Sequence, residues 1–272
     1  AWTIRLIGDQ GQVTDENWQK LLSIAQTDTS PTVISQLASS AKQLPAKQSL
    51  ALVRALLDRS EFRNDPHIPL LLWWALERNA VSHSDEVLQV FTRPEDWQNP
   101  FLREVILGRL MRRYAGEGSN ESLVACARLL ATAPQDSERR RMLTELDAGL
   151  KMLGRERLPG LPLGPKYGNI AAISRMEQTD QARRLKTIPP ALAEQLATIW
   201  NDRTTDPLII RVALRLGSAA ACDRVLALAA DQRQPEKTRL EMLAILQELG
   251  ESSECLDTVL KLVDKSESDA IQ

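Results

Sequence analysis

The stretch that decides the fold is Asp206-Pro207-Leu208-Ile209-Ile210-Arg211-Val212-Ala213-Leu214. An acidic side chain that can accept backbone hydrogen bonds precedes a proline, which suits the first turn of a helix because it has no amide hydrogen to leave unpaired. The apolar residues then recur at steps of three and four, the spacing that gathers them on one helical face. The stretch therefore predicts an amphipathic helix that begins at Pro207.

Openings of the same kind return at Ser30-Pro31, Asp65-Pro66 and Gln234-Pro235. The prolines at 31 and 66 lie 35 residues apart and those at 207 and 235 lie 28 apart, intervals that bracket a two-helix repeat. Short polar joints favour antiparallel neighbours, and a helix pair that cannot bury its apolar faces alone must stack on the next pair. We expect an all-α fold, an α-solenoid of antiparallel helix pairs.

The repeat unit resembles HEAT-like repeats. It opens with Asp or Ser and Pro, continues with an apolar pair and often a basic residue, and is clearest at 206–214 and 235–243. The spacing of tetratricopeptide repeats and the Thr-Pro-Leu-His motif of ankyrin repeats do not occur. HEAT-like motifs are degenerate, so they indicate a fold better than a function.

A run rich in glycine and proline interrupts the helical pattern at 154–168. Its four glycines and three prolines exclude a regular helix. We therefore expect an N-terminal helical array over 1–153, a connector over 154–168 and a C-terminal array over 169–272. The connector either has a function of its own or packs across the surface, and we favour packing.

Composition and motifs exclude several classes of protein. The chain has 272 residues, a net charge of −2 and 43% hydrophobic residues, which argues for a folded protein and against a polycation that binds nucleic acid. Its longest nearly unbroken apolar run, 68–76, is far shorter than the roughly 20 residues of a membrane-spanning helix. No nucleophile elbow, phosphate-binding loop, dinucleotide fingerprint or haem-attachment motif occurs. We expect neither catalysis nor a cofactor in this segment.

Cysteines, histidines and tryptophans are candidate site residues. The three cysteines, Cys126, Cys222 and Cys255, lie singly in helical patterns, and we interpret them as buried thiols. His67 and His83 lack metal-ligand spacing, so we expect no metal site. The six tryptophans could form a stacking or sugar-binding surface. We instead expect Trp18, Trp73 and Trp200 in the core because they fall on apolar stripes, and leave Trp2, Trp74 and Trp97 open.

The segment from Leu70 to Glu77, Leu-Leu-Leu-Trp-Trp-Ala-Leu-Glu, is the most distinctive in the chain. Apolar residues all round a helix are typical of one that lies between layers, which would make Glu77 a buried acid. A buried carboxylate must pair or take up a proton. Glu77 is then either a general acid or base or, as we favour, a structural acid paired with Arg103 or Arg109.

Basic residues concentrate in the middle of the chain, where residues 100–190 contain 16 Lys and Arg against 10 Asp and Glu. The candidate partner-binding residues are Arg112, Arg113, Arg139, Arg140 and Arg141. Together with Arg183-Arg184 they could line one groove and bind an acidic partner or phosphates. Solvated helix faces are the alternative that we favour, because the arginines are spread around their helices.

Three stretches carry a second resemblance: Trp2 to Asp9, Leu37-Ala38-Ser39-Ser40 followed by Leu44-Pro45, and Asp65 to Glu77. They resemble the solenoid region of large bacterial proteins described as membrane-bound dehydrogenases or haem-binding-domain proteins. In that family a β-propeller precedes the helical region and a cytochrome c domain follows it. Neither propeller strands nor a haem motif occurs here, so no redox role is carried over to any residue.

The family resemblance implies an exported, periplasmic protein whose propeller and cytochrome c domains are this segment's partners. The chain opens at Ala1 inside an amphipathic pattern, so we expect it to be a piece of something longer, with any signal peptide upstream. Our leading hypothesis is a non-catalytic scaffold for protein–protein or interdomain contacts. The alternatives are the wall of a dehydrogenase active site completed by the propeller, and a HEAT-like nucleic-acid-binding or DNA-repair protein, which the net charge disfavours.

Overall fold

The computed structural model describes residues 1–11, 13–155, 188–201 and 203–249. Their regular structure is entirely helical, which confirms the all-α prediction. The α-helices are α1 (Trp2–Asp9), α2 (Asp15–Thr27), α3 (Pro31–Ala41), α4 (Ala46–Leu57), α5 (Ile68–Ala80), α6 (Ser84–Phe91), α7 (Gly108–Glu117), α8 (Asn120–Thr132), α9 (Asp136–Arg155), α10 (Pro190–Ile199), α11 (Pro207–Arg215), α12 (Ala219–Ala230) and α13 (Glu236–Leu249). A π-helical segment, Leu102–Leu107, leads directly into α7.

Capping side chains explain where several helices begin. The Thr14 hydroxyl accepts a hydrogen bond from the Asn17 amide, and the Asp206 carboxylate accepts one from the Leu208 amide at 2.9 Å. Such caps satisfy amides that have no partner within the helix. The predicted starts of α3 and α11 are confirmed.

The start of α5 differs from the prediction by two residues. Asp65 accepts hydrogen bonds from the amides of His67 and Ile68, at 2.8 and 2.9 Å, so the predicted capping group is correct. The helix itself begins at Ile68, and Pro69 rather than Pro66 occupies its first turn. The reason is Pro69, which has no amide hydrogen to donate to the Asp65 carbonyl, so the first helical hydrogen bonds run from Leu70 and Leu71 to the His67 carbonyl.

The helices pack in two rows. Each odd-numbered helix from α1 to α13 packs on the next odd-numbered one, and each even-numbered helix from α2 to α10 packs on the next even-numbered one. Most helices also pack on their neighbours in the chain. A large apolar core lies between these elements and extends from Ile4 to Leu216, while a smaller one joins α11, α12 and α13.

The odd-numbered helices from α1 to α7 run parallel and in register. Ser40 of α3 donates to the carbonyl of Ile4 in α1, Arg78 of α5 donates to the carbonyl of Lys42 after α3, and Arg113 of α7 pairs with Glu77 of α5. Each of these pairs is separated by 36 positions. From α1 to α7, a residue in this row therefore lies beside the residue about 36 places away, close to the longer interval between the proline openings.

Helices α7 and α9 approach each other closely at Gly149. A Cβ atom placed on Gly149 of α9 would lie 2.5 Å from both the Ala115 Cβ and the Arg112 carbonyl oxygen of α7. Glycine is therefore needed at 149 for the two backbones to approach this closely. The approach brings the end of α9, including Met152, to the side of α7.

The predicted connector at 154–168 lies outside the described residues except at its first two positions, which continue α9. Across that gap, α10 packs on α8 and α11 packs on α9. Leu192 and Leu208, from α10 and α11, belong to the same core as the N-terminal helices. In the described ranges no helix has the length and apolar character needed to cross a membrane.

Candidate functional site

A groove with a volume of about 740 Å³ opens between α5 and α7, with the end of α9 at its rim. We call it the α5–α7 groove. Its lining combines large apolar side chains with arginines and two carboxylates. The lining residues are Leu70, Trp73, Trp74, Glu77, Arg109, Arg112, Arg113, Gly116, Glu117 and Met152.

The α5 wall is apolar over most of its length. Leu70, Trp73, Trp74 and Glu77 follow the spacing that places side chains on one helical face. Trp73 is 8% exposed and belongs to the core, whereas Trp74 is 44% and Leu70 39% exposed. The prediction that α5 lies between layers on all sides is wrong, because the face that carries Leu70 and Trp74 opens into the groove.

The α7 wall is basic. Arg109, Arg112 and Arg113 lie on it, with Gly116 and Glu117 one turn further on. The Arg113 Nη1 atom lies 2.9 Å from Glu117 Oε2, and its Nε lies 3.9 Å from Glu77 Oε1. Two guanidinium nitrogens of Arg112 lie 2.6 and 2.7 Å from one oxygen of Glu145 in α9. Two of the three arginines are thus paired with carboxylates.

Arg109 differs from Arg112 and Arg113 because it contacts an aromatic ring. Its guanidinium carbon lies 5.9 Å from the centre of the Trp73 ring, within the range of a cation–π interaction. Among the residues that the structure describes, it forms no ion pair with a carboxylate. Arg109 is also exposed. It therefore presents a cation that is oriented by an aromatic ring and open to an anionic ligand.

Glu77 is not the buried acid that its surroundings in the sequence predict. Its side chain is 39% exposed, and the nearest cation is Arg113 rather than Arg103 or Arg109. Arg103 instead pairs with Glu104, at 3.2 Å. The physical reason is the open face of α5: Glu77 lies one turn beyond Trp74 on that face, where water reaches it.

The structure separates the five candidate arginines. Arg112 and Arg113 line the groove, whereas Arg139, Arg140 and Arg141 lie near the start of α9 and outside its lining. Arg139 pairs with Asp136 at 2.9 Å, and Arg140 pairs with Asp206, the cap of α11. Arg141 donates to the Glu104 carbonyl at 2.8 Å. Arg140 and Arg141 therefore join α9 to neighbouring elements, whereas the Arg139 pair lies within α9.

The pairing of Arg140 with Asp206 affects the pKa of the carboxylate. Burial favours its neutral form, but the hydrogen bond from Arg140 and those from the amides of Leu208 and Ile209 outweigh burial. The pKa of Asp206 therefore lies below its usual value. The ion pair from α9 and the helix cap of α11 share this one carboxylate.

The other candidate residues lie apart from the groove. Trp97 is buried, and Trp2, 73% exposed on α1, is not part of the groove lining. Cys126 is buried, as predicted, and burial raises the pKa of its thiol. Cys222 is only partly buried, and Cys255 lies outside the described residues. In the described part of the chain, no three His, Cys, Asp or Glu side chains cluster as metal ligands would.

Sequence reasoning missed Arg109, Leu70 and Met152 as groove residues. A usable signal exists in the spacing, since Trp73 and Arg109 lie 36 positions apart, as do Glu77 and Arg113. Applied as a repeat period, that spacing would have placed the α5 and α7 side chains beside each other. Met152 could not have been found this way because it depends on the close approach at Gly149.

Comparison with family models, with curated proteins and with solved structures found no match for this chain. The resemblance to the dehydrogenase family stays a prediction, as do the periplasmic location and the propeller and cytochrome c partners. Function must therefore be inferred from the groove, its exposed apolar side chains and its charges.

Proposed function

We propose that this chain is a non-catalytic α-solenoid scaffold of HEAT-like helix pairs that binds protein segments in the α5–α7 groove. One observation carries the proposal. Of the five large apolar side chains exposed in the described residues, three lie in this groove: Leu70, Trp74 and Met152. Exposed apolar side chains that gather beside arginines are typical of a surface that binds protein, where tryptophan and arginine contribute most to affinity.

The packing of the helices supports the solenoid part of the proposal. Two rows of helices, each packed on the next in its own row, are what stacked antiparallel pairs produce. The recurring separation of 36 positions between contacting residues in the odd row supports a repeated two-helix unit. In such a stack a groove on one row is accessible along its length, which suits an extended partner.

The chemistry of the lining supports binding rather than catalysis. The described lining contains no serine, cysteine, histidine or lysine that could act as a nucleophile or general base. Its two carboxylates, Glu77 and Glu117, both lie beside Arg113. In a longer protein of the resembled family, the groove would hold a neighbouring domain or spacer segment of the same exported chain.

Site-specific photocrosslinking tests the proposed function. A benzoylphenylalanine residue replaces Leu70 in the groove and, as a matched control, Gln19 on the exposed face of α2. We expect a polypeptide adduct at position 70 in the native host and none of the same mass at position 19. Adducts that do not differ between the two positions would contradict a protein-binding groove.

The alternative hypothesis, that the groove is part of the wall of an active site, makes a different prediction. If Glu77 took part in turnover, Glu77→Gln would abolish the activity of the longer protein while its helical circular dichroism was retained. Under the scaffold proposal, that substitution leaves turnover unchanged, because the carboxylate only pairs with Arg113.

A further inference from the structure

We infer that the α5–α7 groove takes a polypeptide segment in which an Asp or Glu side chain lies next to an aromatic or large aliphatic one. The carboxylate binds Arg109, and the apolar side chain packs on Trp74 and Leu70. This inference rests on the proposed function and adds the chemistry of the partner. Charge complementarity at one arginine and the position of the apolar wall support it.

The charge of the groove favours a single carboxylate. Arg112 and Arg113 already contact Glu145, Glu117 and Glu77, so they attract a further anion weakly. Arg109 has only the Trp73 ring beside it. A guanidinium stacked on an aromatic ring keeps its planar N–H groups available, and these match a carboxylate in a two-point hydrogen bond.

The apolar wall distinguishes a polypeptide from a nucleic acid or an acidic polysaccharide. Either polyanion could stack on Trp74, but it needs several unpaired cations along its backbone. The described lining offers one. Leu70 and Met152 are also 39% and 58% exposed, and an aliphatic surface of this kind is covered by apolar side chains of a protein. The groove therefore fits an acidic and apolar peptide better than a polyanion.

The alignment of α5 with α7 determines at which end of the groove the partner's acidic residue binds. Arg109 lies level with Trp73, and Arg113 lies level with Glu77 one turn further along both helices. Beyond that turn the lining carries Glu117, so an acidic residue there would meet like charge. The partner's carboxylate should consequently lie at the Trp73 end, with neutral or basic residues toward Glu117.

Peptide selection followed by titration tests the inference. A phage-displayed library of random linear peptides is selected on the full 272-residue chain, and the enriched peptides are synthesised with a fluorescent label. Their affinity is measured for the unaltered chain, for Trp74→Ala and for Arg109→Gln. Arg5→Gln is the matched control, because Arg5 stacks on the Trp2 ring at 5.4 Å but lies outside the groove. Circular dichroism checks that each variant is folded.

We expect enriched peptides with an acidic residue next to an aromatic or large aliphatic one. Their binding should be lost in Trp74→Ala and weakened at least about tenfold in Arg109→Gln, the effect of losing a charge-assisted hydrogen bond. Arg5→Gln should bind as the unaltered chain does. Replacing the acidic residue of the peptide by its amide should weaken binding to the unaltered chain by the same factor. The same replacement should not weaken binding to Arg109→Gln any further.

The contradicting outcomes separate the two proposals. Peptides that need Trp74 but show no acidic preference and bind Arg109→Gln normally would overturn the inference and leave the protein-binding groove standing. If no peptide depends on Trp74, the proposed function fails together with the inference. Duplex DNA and heparin are titrated in parallel, and binding of either that needs both Trp74 and Arg109, with no such peptide, would assign the groove to a polyanion.

Discussion

The Arg109 guanidinium lies over the ring of Trp73, 5.9 Å from its centre, although the two residues are 36 positions apart in the chain. Trp73 is buried and Arg109 is exposed, so the ring fixes the cation at the boundary between core and solvent. The Trp73 side of the pair lies in the core, and the Arg109 side lines the groove.

The stacking should contribute little to stability. An exposed cation–π pair contributes about 0.5–1 kcal/mol, and Arg109 has no carboxylate partner among the described residues to lose. We expect Arg109→Gln to lower the free energy of unfolding by no more than about 1 kcal/mol, as measured by urea denaturation. A loss of several kcal/mol would mean that Arg109 supports the α5–α7 packing itself.

Two glycines at the α7–α9 contact should respond in opposite ways to alanine. In Gly149→Ala the new Cβ would lie 2.5 Å from the backbone oxygen of Arg112, so the helices must separate, at a cost of roughly 1–3 kcal/mol. In Gly116→Ala the nearest atom lies 3.8 Å away, and helix propensity favours alanine by up to about 1 kcal/mol. Urea denaturation of both variants measures the difference. Equal effects would contradict the close approach that positions Met152.

Helix starts were predictable because they depend on a few consecutive residues. The hydroxyl of Thr14 and the carboxylate of Asp206 cap helices whose apolar faces are visible in the same short window. The error at α5 has the same local origin, since Pro69 cannot donate the hydrogen bond that would begin the helix at Pro66.

The groove was not predictable from the same reasoning because it depends on register between helices. Arg112 and Arg139 look alike in the sequence, yet Arg112 faces the groove and Arg139 pairs with Asp136 on its own helix. The exposure of Glu77 likewise follows from what lies opposite α5 and not from the apolar run that precedes it. Composition and helical periodicity carry no information on either point.

A buried ion pair between helices should be the most sensitive charged contact described. The Asp96 carboxylate is fully buried, pairs with Arg54 of α4 and accepts the Arg93 amide at 2.8 Å. Asp96→Ala leaves Arg54 with only the more exposed Asp58 and the Arg93 amide without its acceptor, so it should cost about 3 kcal/mol, the lower end of the range for a broken buried pair. Asp58 pairs with the same arginine at 3.1 Å but is half exposed, and Asp58→Ala should cost no more than about 1 kcal/mol.

Thermal and urea denaturation measure both variants. Because Arg54 is common to the two pairs, the comparison isolates the burial of the carboxylate from the identity of its partner. A similar small loss for Asp58→Ala and Asp96→Ala would contradict the buried position of Asp96.

The carboxylate that joins α9 to α11 should make stability depend on pH. The pKa of Asp206 is depressed in the folded chain. Its contribution to the free energy of unfolding is therefore present above the usual pKa of an aspartate, about 4, and is lost as the pH falls through the depressed value. Asp206→Asn should therefore be less stable than the unaltered chain at pH 7, and the difference should shrink as the pH falls below about 4. Arg140→Gln should act in the same direction, because it removes the hydrogen bond that lowers the pKa. Urea denaturation at a series of pH values measures the stability of both variants. If the loss of stability in Asp206→Asn is the same at neutral and acidic pH, this carboxylate is not the cap and ion-pair partner that we assign.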